Sequence, residues 1–187
     1  EMKICDCRES PVDKNLVDIG MPGPDLLDEK DVELYANVSN AIKQLNEKNF
    51  KVIVITNQSK VGRGIITYEK MEVINKKIEE IVRNQGGSID KFYCCTHKIE
   101  DDCNCRKPKT GLLELAKRDF EINLQDSWII GDKTVDVQTG KNADCKTILV
   151  KTGYAGRDKK YNVEPNFVVE NLIDAAKIII STQNHKH

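Results

Sequence analysis

The chain has 187 residues, of which 39% are apolar and 32% are charged, and its net charge is −1. This balance excludes a strongly basic surface of the kind that coats nucleic acid, and it excludes the composition of a disordered chain. A 5% share of aromatic residues also argues against base stacking. The length predicts a single domain over residues 1–187, and we expect a monomer.

The chain contains seven cysteines. It has no apolar run long enough to span a bilayer and no pattern of a secretory signal peptide. We therefore expect a reduced, cytoplasmic protein that does not act at a membrane.

The predicted elements begin with a short apolar strand at residues 3–6, followed by a Pro/Gly-rich acidic loop to Lys30. Further strands are predicted at 51–55, 92–94, 128–130 and 147–150, and amphipathic helices at about 34–49, 67–85, 111–119, 134–142 and 172–180.

Strands and helices thus alternate along the whole chain. The strand at 51–55 is apolar without alternation, which is typical of a parallel sheet covered on both faces. The order predicts an α/β fold with a doubly wound, mainly parallel sheet and right-handed crossovers. One insertion, a loop at about 94–107, interrupts the sheet connections, and we expect no large cap domain.

That loop contains four soft metal ligands within eleven residues, in the pattern C-x-H, five residues, C-x-C. Thiolates and imidazole at such spacings surround one Zn²⁺ tetrahedrally and leave no position for water or substrate. The alternative is a pair of disulfides, which leaves the histidine unexplained. The sequence favours a structural zinc at Cys95, His97, Cys103 and Cys105.

Polar residues follow the predicted strands at the sheet edge where ligands of such folds bind. The group combines acids, a hydroxyl, an amide and cations, and it consists of Asp6, Thr56, Asn57, Arg106, Lys107, Asp132, Lys133 and Asp136. Carboxylates hold Mg²⁺, and cations neutralise phosphate oxygens. Each residue alone also fits a cap or a turn. Together they predict a Mg²⁺-dependent phosphoryl-transfer site for a small phosphorylated molecule.

Three runs, VIVITNQSKVGRG, CRKPKTGLL and IIGDKTVDVQTGKNA, resemble the haloacid dehalogenase superfamily. The zinc pattern beside them resembles the group that holds D-glycero-D-manno-heptose-1,7-bisphosphate phosphatases and the related histidinol-phosphate phosphatase domain. This resemblance covers residues from about 34 to 153. It implies a Rossmann-like fold and a phosphatase that works through an aspartyl-phosphate.

The resemblance also implies roles for single residues. Thr56 and Asn57 would contact the phosphoryl group, Lys107 would stabilise nucleophile and phosphate, and Arg106 would reach the substrate. Asp132 would ligate Mg²⁺, with Lys133 and Asp136 supporting it. Arg63 would meet a distal part of the substrate, or it is a solvated loop arginine.

The first family motif, Asp-x-Asp-Gly, is not matched by ICDCRESPVDKN. With Asp6 as nucleophile and Mg²⁺ ligand, the general-acid position holds Arg8, whose backbone carbonyl could still bind Mg²⁺. A guanidinium cannot donate a proton at neutral pH. A shifted alignment would make Cys7 the nucleophile. The sequence therefore predicts either an active phosphatase with a weakened first motif or a degenerate relative that binds a phosphorylated ligand or a protein partner.

Overall fold

The computed structural model describes residues 27–184. The helices are α1 (Val38–Glu47), α2 (Ser59–Gly62), α3 (Tyr68–Asn84), α4 (Gly111–Phe120), α5 (Thr134–Asn142) and α6 (Leu172–Asn184). The strands are β1 (Ile53–Asn57), β2 (Lys91–Cys95), β3 (Trp128–Gly131), β4 (Lys146–Val150) and β5 (Phe167–Val169). Short 3-10 turns lie at Glu29–Asp31, Ile99–Asp101 and Leu124–Asp126.

All pairings among the described strands are parallel. β1 pairs with β2, with Ile55 opposite Tyr93, and β3, β4 and β5 form a second sheet in that order. Helices connect β1 to β2 and β3 to β4, whereas a loop connects β4 to β5. The predicted doubly wound, parallel α/β fold is confirmed. The strand predicted at 3–6 lies outside the described residues.

The strand β1 is buried on both faces, which explains its unalternating apolar run. Val54 packs with α1, α3 and α6 in one apolar cluster, whereas Ile53 and Ile55 pack with α4 in another. All three side chains are almost completely buried. Successive strand residues point to opposite faces, so a strand with helices on both sides needs an apolar residue at every position.

Several element boundaries differ from the sequence prediction. α1 begins at Val38, not near Leu34, because Asn37 adopts a left-handed conformation with φ 67° that interrupts helical geometry. β1 extends to Asn57, so Thr56 and Asn57 form its last two residues. β5 and the short α2 were not predicted. The helix α3 begins as predicted, with the Thr67 side chain accepting a hydrogen bond from the Lys70 amide at 3.2 Å.

Across residues 27–184, none of the helices has both the length and the apolar character that crossing a bilayer requires.

Candidate active site and metal centre

Lys107 is the cation at the centre of the candidate site. Its Nζ lies 2.7 Å from Asp136 Oδ1 and donates a hydrogen bond to the Ile55 carbonyl at 2.8 Å. The lysine side chain is 11% exposed and the aspartate side chain 6% exposed. The loop at about 94–107 contains the four predicted zinc ligands and is called the Cys/His loop below. The contact brings the end of this loop together with β1 and with the first turn of α5. A fixed, largely desolvated ammonium group is suited to hold phosphate oxygens.

Asn57 holds the backbone of Lys107 in place. Its Oδ1 accepts from the Lys107 amide at 3.0 Å, and its Nδ2 donates to the Lys107 carbonyl at 3.2 Å. The last residue of β1 therefore clamps a residue 50 positions away in sequence. Thr56, next to it, accepts from Gln58 Nε2 at 3.4 Å and is half-buried. The resemblance predicted Asn57 as a substrate contact, and the structure shows its amide engaged with Lys107.

Asp132 directly follows β3 and is 7% exposed. Its Oδ2 accepts a hydrogen bond from the Tyr154 amide at 2.8 Å, and no other described residue donates to this carboxylate from a side chain. Burial raises the pKa of the Asp132 carboxyl, and the nearby charge of Asp136 adds to the rise, whereas the Tyr154 amide and Lys133 oppose it. A buried carboxylate with an oxygen left over fits a ligand for a hard cation such as Mg²⁺.

The turn between β3 and α5 brings two acids close together. The Asp136 Oδ2 accepts from the Lys133 amide at 3.1 Å, which caps α5, while Oδ1 holds Lys107. A Cβ at Gly131 would lie 2.3 Å from the Asp136 Cβ, so only glycine fits at the end of β3. The Gly-Asp-Lys turn predicted from sequence is therefore tightly packed, and it places Asp132 and Asp136 at the same edge of the sheet.

The loop after β4 covers this turn. The Gly156 amide donates to the Asp132 carbonyl at 2.8 Å, and Asp158 accepts from both the amide and the hydroxyl of Thr134 at 2.8 Å. Gly153, at φ 71°, passes so close that a Cβ would lie 2.3 Å from Asp132 Oδ2. Sequence reasoning missed this loop. The available signal was its position beyond the carboxyl end of a strand, where ligands of open sheets bind.

The predicted zinc ligands converge. One ligand atom from each of Cys95, His97, Cys103 and Cys105 lies within 4.8 Å of every other. The Sγ atoms of Cys95 and Cys103 are 3.5 Å apart, and those of Cys103 and Cys105 are 3.3 Å apart. A disulfide needs ~2.05 Å, and all of the described cysteines are free thiols.

This donor set fits zinc. Zn–S bonds of ~2.3 Å in a tetrahedron place sulfur atoms ~3.8 Å apart, close to the observed separations. The Nδ1 of His97 lies 3.2 Å from Cys105 Sγ and 3.9 Å from Cys95 Sγ, which completes the fourth corner. Burial raises the pKa of the Cys95 and Cys105 thiols, and a bound dication would stabilise their thiolates.

The two predicted arginines lie near this cluster. Arg106 Nη1 donates to the His97 carbonyl at 3.4 Å. Arg63 is exposed and follows Gly62, where a Cβ would lie 2.4 Å from the Thr96 carbonyl oxygen. The last residue of α2 thus packs directly on the Cys/His loop. Of the predicted catalytic residues, Thr56, Lys107 and Asp132 belong to elements joined by these contacts, and Asp6, Cys7 and Arg8 lie outside the described residues.

Comparisons with known proteins identify the family of this chain. A family model described as HAD-hydrolase-like matches residues 104–175. The chain is 31% identical to the D-glycero-beta-D-manno-heptose-1,7-bisphosphate 7-phosphatase of Pseudomonas putida over 142 residues, which are 75% of this chain and 81% of that protein. It is 32% identical to the enzyme of the same name from Pasteurella multocida, over 74% of this chain and 79% of the relative. The match to the Pseudomonas aeruginosa enzyme is 35% identical and spans 60% of this chain and 64% of that relative, less than two thirds of its length.

Solved structures show the same fold. The D,D-heptose 1,7-bisphosphate phosphatase of B. bronchiseptica, complexed with magnesium and phosphate, superposes with a TM-score of 0.81 at 24% identity and covers 92% of this chain and 99% of its own. A HAD-like phosphatase from Mesorhizobium loti gives a TM-score of 0.73 at 26% identity, with 96% and 91% covered. From the extent and identity of these matches, the chain belongs to the haloacid dehalogenase-like phosphatase family, together with the heptose-bisphosphate phosphatases.

Proposed function

We propose that this protein is a Mg²⁺-dependent phosphatase that hydrolyses a small phosphorylated sugar through an aspartyl-phosphate on Asp6. The observation that carries the proposal is the buried Lys107 ammonium group, held by Asp136 and the Ile55 carbonyl at the sheet edge where Asp132 lies. Family membership supplies the reaction class.

In this reaction an Asp6 carboxylate oxygen attacks phosphorus, and the ester bond to the sugar oxygen breaks. Thr56 and Lys107 hold the phosphate oxygens as negative charge builds on them. The leaving sugar oxygen takes a proton from solvent water, because Arg8 cannot donate one. A water molecule then attacks the phosphorus of the acyl phosphate, which releases phosphate and restores Asp6. The two hydrogen bonds between the Asn57 side chain and the Lys107 backbone keep this backbone fixed throughout the reaction.

Mg²⁺ would be held by the carboxylates of Asp6 and Asp132 and by the backbone carbonyl of Arg8, with Asp136 behind them. When bound, it supplies positive charge that neutralises the phosphate and the attacking carboxylate. A structural Zn²⁺ on the four Cys/His ligands would fix the loop that ends in Arg106 and Lys107. Four protein ligands would fill every coordination position of a tetrahedral Zn²⁺, so the zinc would take no part in the chemistry.

The names of the relatives favour a heptose 1,7-bisphosphate as the substrate. Histidinol phosphate, the other substrate suggested by the sequence, presents the same phosphate monoester. Arg63 and Arg106 support the bisphosphate, because two cations beside the Cys/His loop are suited to a second phosphate. A catalytically weak relative that binds such a ligand is the competing function, favoured by Arg8.

A phosphatase assay with and without Mg²⁺ tests the proposal on heptose 1,7-bisphosphate, histidinol phosphate, fructose 1,6-bisphosphate and acetyl phosphate. We expect Mg²⁺-dependent phosphate release, greatest for the heptose. Asp132→Asn should weaken Mg²⁺ binding in calorimetry, since it removes one of few full charges in the site, and should leave the zinc content unchanged. Metal-independent hydrolysis, or no hydrolysis of any of the four compounds, would overturn the proposal.

A further inference from the structure

Tyr154 is an exposed aromatic residue whose backbone is bonded to the candidate site. Its amide donates to Asp132 Oδ2 at 2.8 Å, so its Cα lies within a few bonds of the predicted Mg²⁺ ligand. The residue itself is 51% exposed. No part of the proposed reaction uses its side chain. A large aromatic ring that is left in solvent at the edge of a buried site is more typical of a ligand contact than of a core residue.

The backbone that carries this ring is firmly anchored. Gly153, Ala155 and Gly156 all have positive φ angles, of 71°, 52° and 73°. The loop is held at both ends of this turn, by the Asp132 contacts and by the bonds between Thr134 and Asp158. An alanine in the left-handed region is sterically costly, and it persists because these contacts determine its conformation. The ring is therefore presented from a fixed position.

Lys133 lies against the same ring. Its Nζ is 4.1 Å from the ring centroid, a cation–π contact that covers one face of Tyr154. Lys133 also follows Asp132 directly, and the Tyr154 amide is bonded to the Asp132 carboxylate, so the pair lies beside the predicted Mg²⁺ ligand. With one face taken by the ammonium group and about half of the residue exposed, the rest of the ring is free to contact the carbon skeleton of a ligand.

We propose that Tyr154, supported by Lys133, forms the specificity subsite for the part of the substrate that is not hydrolysed, a hydroxylated carbon chain or sugar ring. The C–H groups of a sugar stack on the negative face of an aromatic ring, and the phenol and ammonium groups bind its hydroxyls. This inference rests on the proposed phosphatase function and adds the residues that select a sugar over a smaller phosphate ester.

The test compares Tyr154→Ala and Tyr154→Phe with the native chain on heptose 1,7-bisphosphate, fructose 1,6-bisphosphate and acetyl phosphate. Alanine keeps the amide that holds Asp132, so the metal site stays intact. We expect kcat/KM of Tyr154→Ala to fall about tenfold for the two sugars, as for the loss of one aromatic contact. Turnover of acetyl phosphate, which has no sugar, should change less than about twofold, and Tyr154→Phe should retain most of the sugar selectivity.

Tyr161→Ala is the matched control, because Tyr161 belongs to the same loop and its amide donates to Thr134 Oγ1 at 3.2 Å. It should not alter the ratio of sugar to acetyl phosphate turnover. Equal losses on all three substrates, or an unchanged ratio in Tyr154→Ala, would overturn the subsite. If the native chain hydrolyses none of them, the phosphatase proposal fails, and calorimetric affinity for fructose 1,6-bisphosphate then decides the subsite: Tyr154→Ala must bind about tenfold more weakly.

Discussion

Lys107 and Asp136 form an ion pair of 2.7 Å in which neither side chain is more than 11% exposed. The pair joins the end of the Cys/His loop to the first turn of α5. Because both charges have lost most of their water, each depends on the other and on the polar groups around them. The Ile55 carbonyl and the Lys133 amide supply those groups. The pair therefore fixes the catalytic cation and ties two elements of the fold together.

Removing one partner of this pair should be strongly destabilising. Asp136→Ala removes the buried carboxylate that pairs with the Lys107 ammonium group, at a cost of about 3–5 kcal/mol in the free energy of unfolding. Urea unfolding measures it. Adding Lys107→Met to this variant should restore part of the loss, since the buried ammonium group is then removed together with the carboxylate. Glu47→Ala, which breaks the exposed pair of Lys43 and Glu47 at 3.9 Å, is the control and should cost below ~0.5 kcal/mol. Equal costs for the two single variants would contradict the prediction.

A variant of Asn57 can distinguish a role in positioning Lys107 from direct contact with the substrate. Asn57→Ala frees the Lys107 backbone, so the ammonium group loses its position and kcat should fall by about 10- to 100-fold. Steady-state kinetics with the best substrate of the panel checks this. Asn142→Ala removes a similar bond, from Nδ2 to the Pro108 carbonyl at 2.9 Å, and should change kcat little. A rise in KM at unchanged kcat would instead make Asn57 the direct substrate contact that the family resemblance implies.

The Cys/His cluster should carry one zinc ion per chain. Cys103→Ser removes one of the four ligands, so elemental analysis should show the metal lost, and thermal unfolding should occur at a lower temperature. Cys94→Ser is a close control, because Cys94 precedes a ligand in the chain but does not belong to the cluster. That variant should keep its zinc. Native protein that contains no zinc after purification without chelators would rule out the metal site.

Asp119 provides a pH-dependent contribution to stability. Burial raises the pKa of this carboxyl, but the Tyr93 hydroxyl at 2.7 Å, Lys91 at 3.0 Å and Arg118 outweigh it and lower the pKa below 3.8. The carboxylate therefore stabilises the fold fully above about pH 4 to 5, and this contribution is lost as the pH falls through the lower folded-state pKa.

Asp119→Asn should cost about 1–2 kcal/mol at pH 7, and the difference from the native chain should shrink below pH 4. Urea unfolding of both proteins across this range measures it, and effects of acid on the metal site cancel in the comparison. Glu170→Gln, in the exposed pair with Lys151, should show a difference near zero at every pH. A constant difference for Asp119→Asn would show that the lost charge is not its cause.

Local sequence patterns predicted the local features and missed the long-range contacts. The Cys/His cluster was predictable because its ligands lie within eleven residues. The end of β1 was placed two residues early, since the apolar run stops at Ile55 while the ladder with β2 continues to Asn57. β5 was missed because it is three residues long with Phe167 and Val168 exposed. The Asn57 clamp and the Lys107 ion pair join distant segments, which no periodicity reveals.

If Asp6 is the nucleophile, Arg8 occupies the position of the family's general acid, and this position decides the rate that we expect. Loss of a general acid typically lowers a rate by roughly 10²–10⁴. The chain should therefore be slow on sugar and alkyl phosphates, whose leaving oxygen needs a proton. It should be less impaired on aryl phosphates, whose leaving group departs without one.

Arg8→Asp should then raise turnover of sugar phosphates by about 10²-fold or more and leave aryl phosphate turnover nearly unchanged. The ratio of the two substrate classes before and after the change is the decisive measurement, because an effect on metal or substrate binding would alter both classes equally. Asp6→Asn in either background should abolish activity, while Cys7→Ser should not. If Cys7→Ser is inactive and Asp6→Asn remains active, the nucleophile is Cys7, the register of the first motif shifts by one residue, and Glu9 takes the place of the general acid.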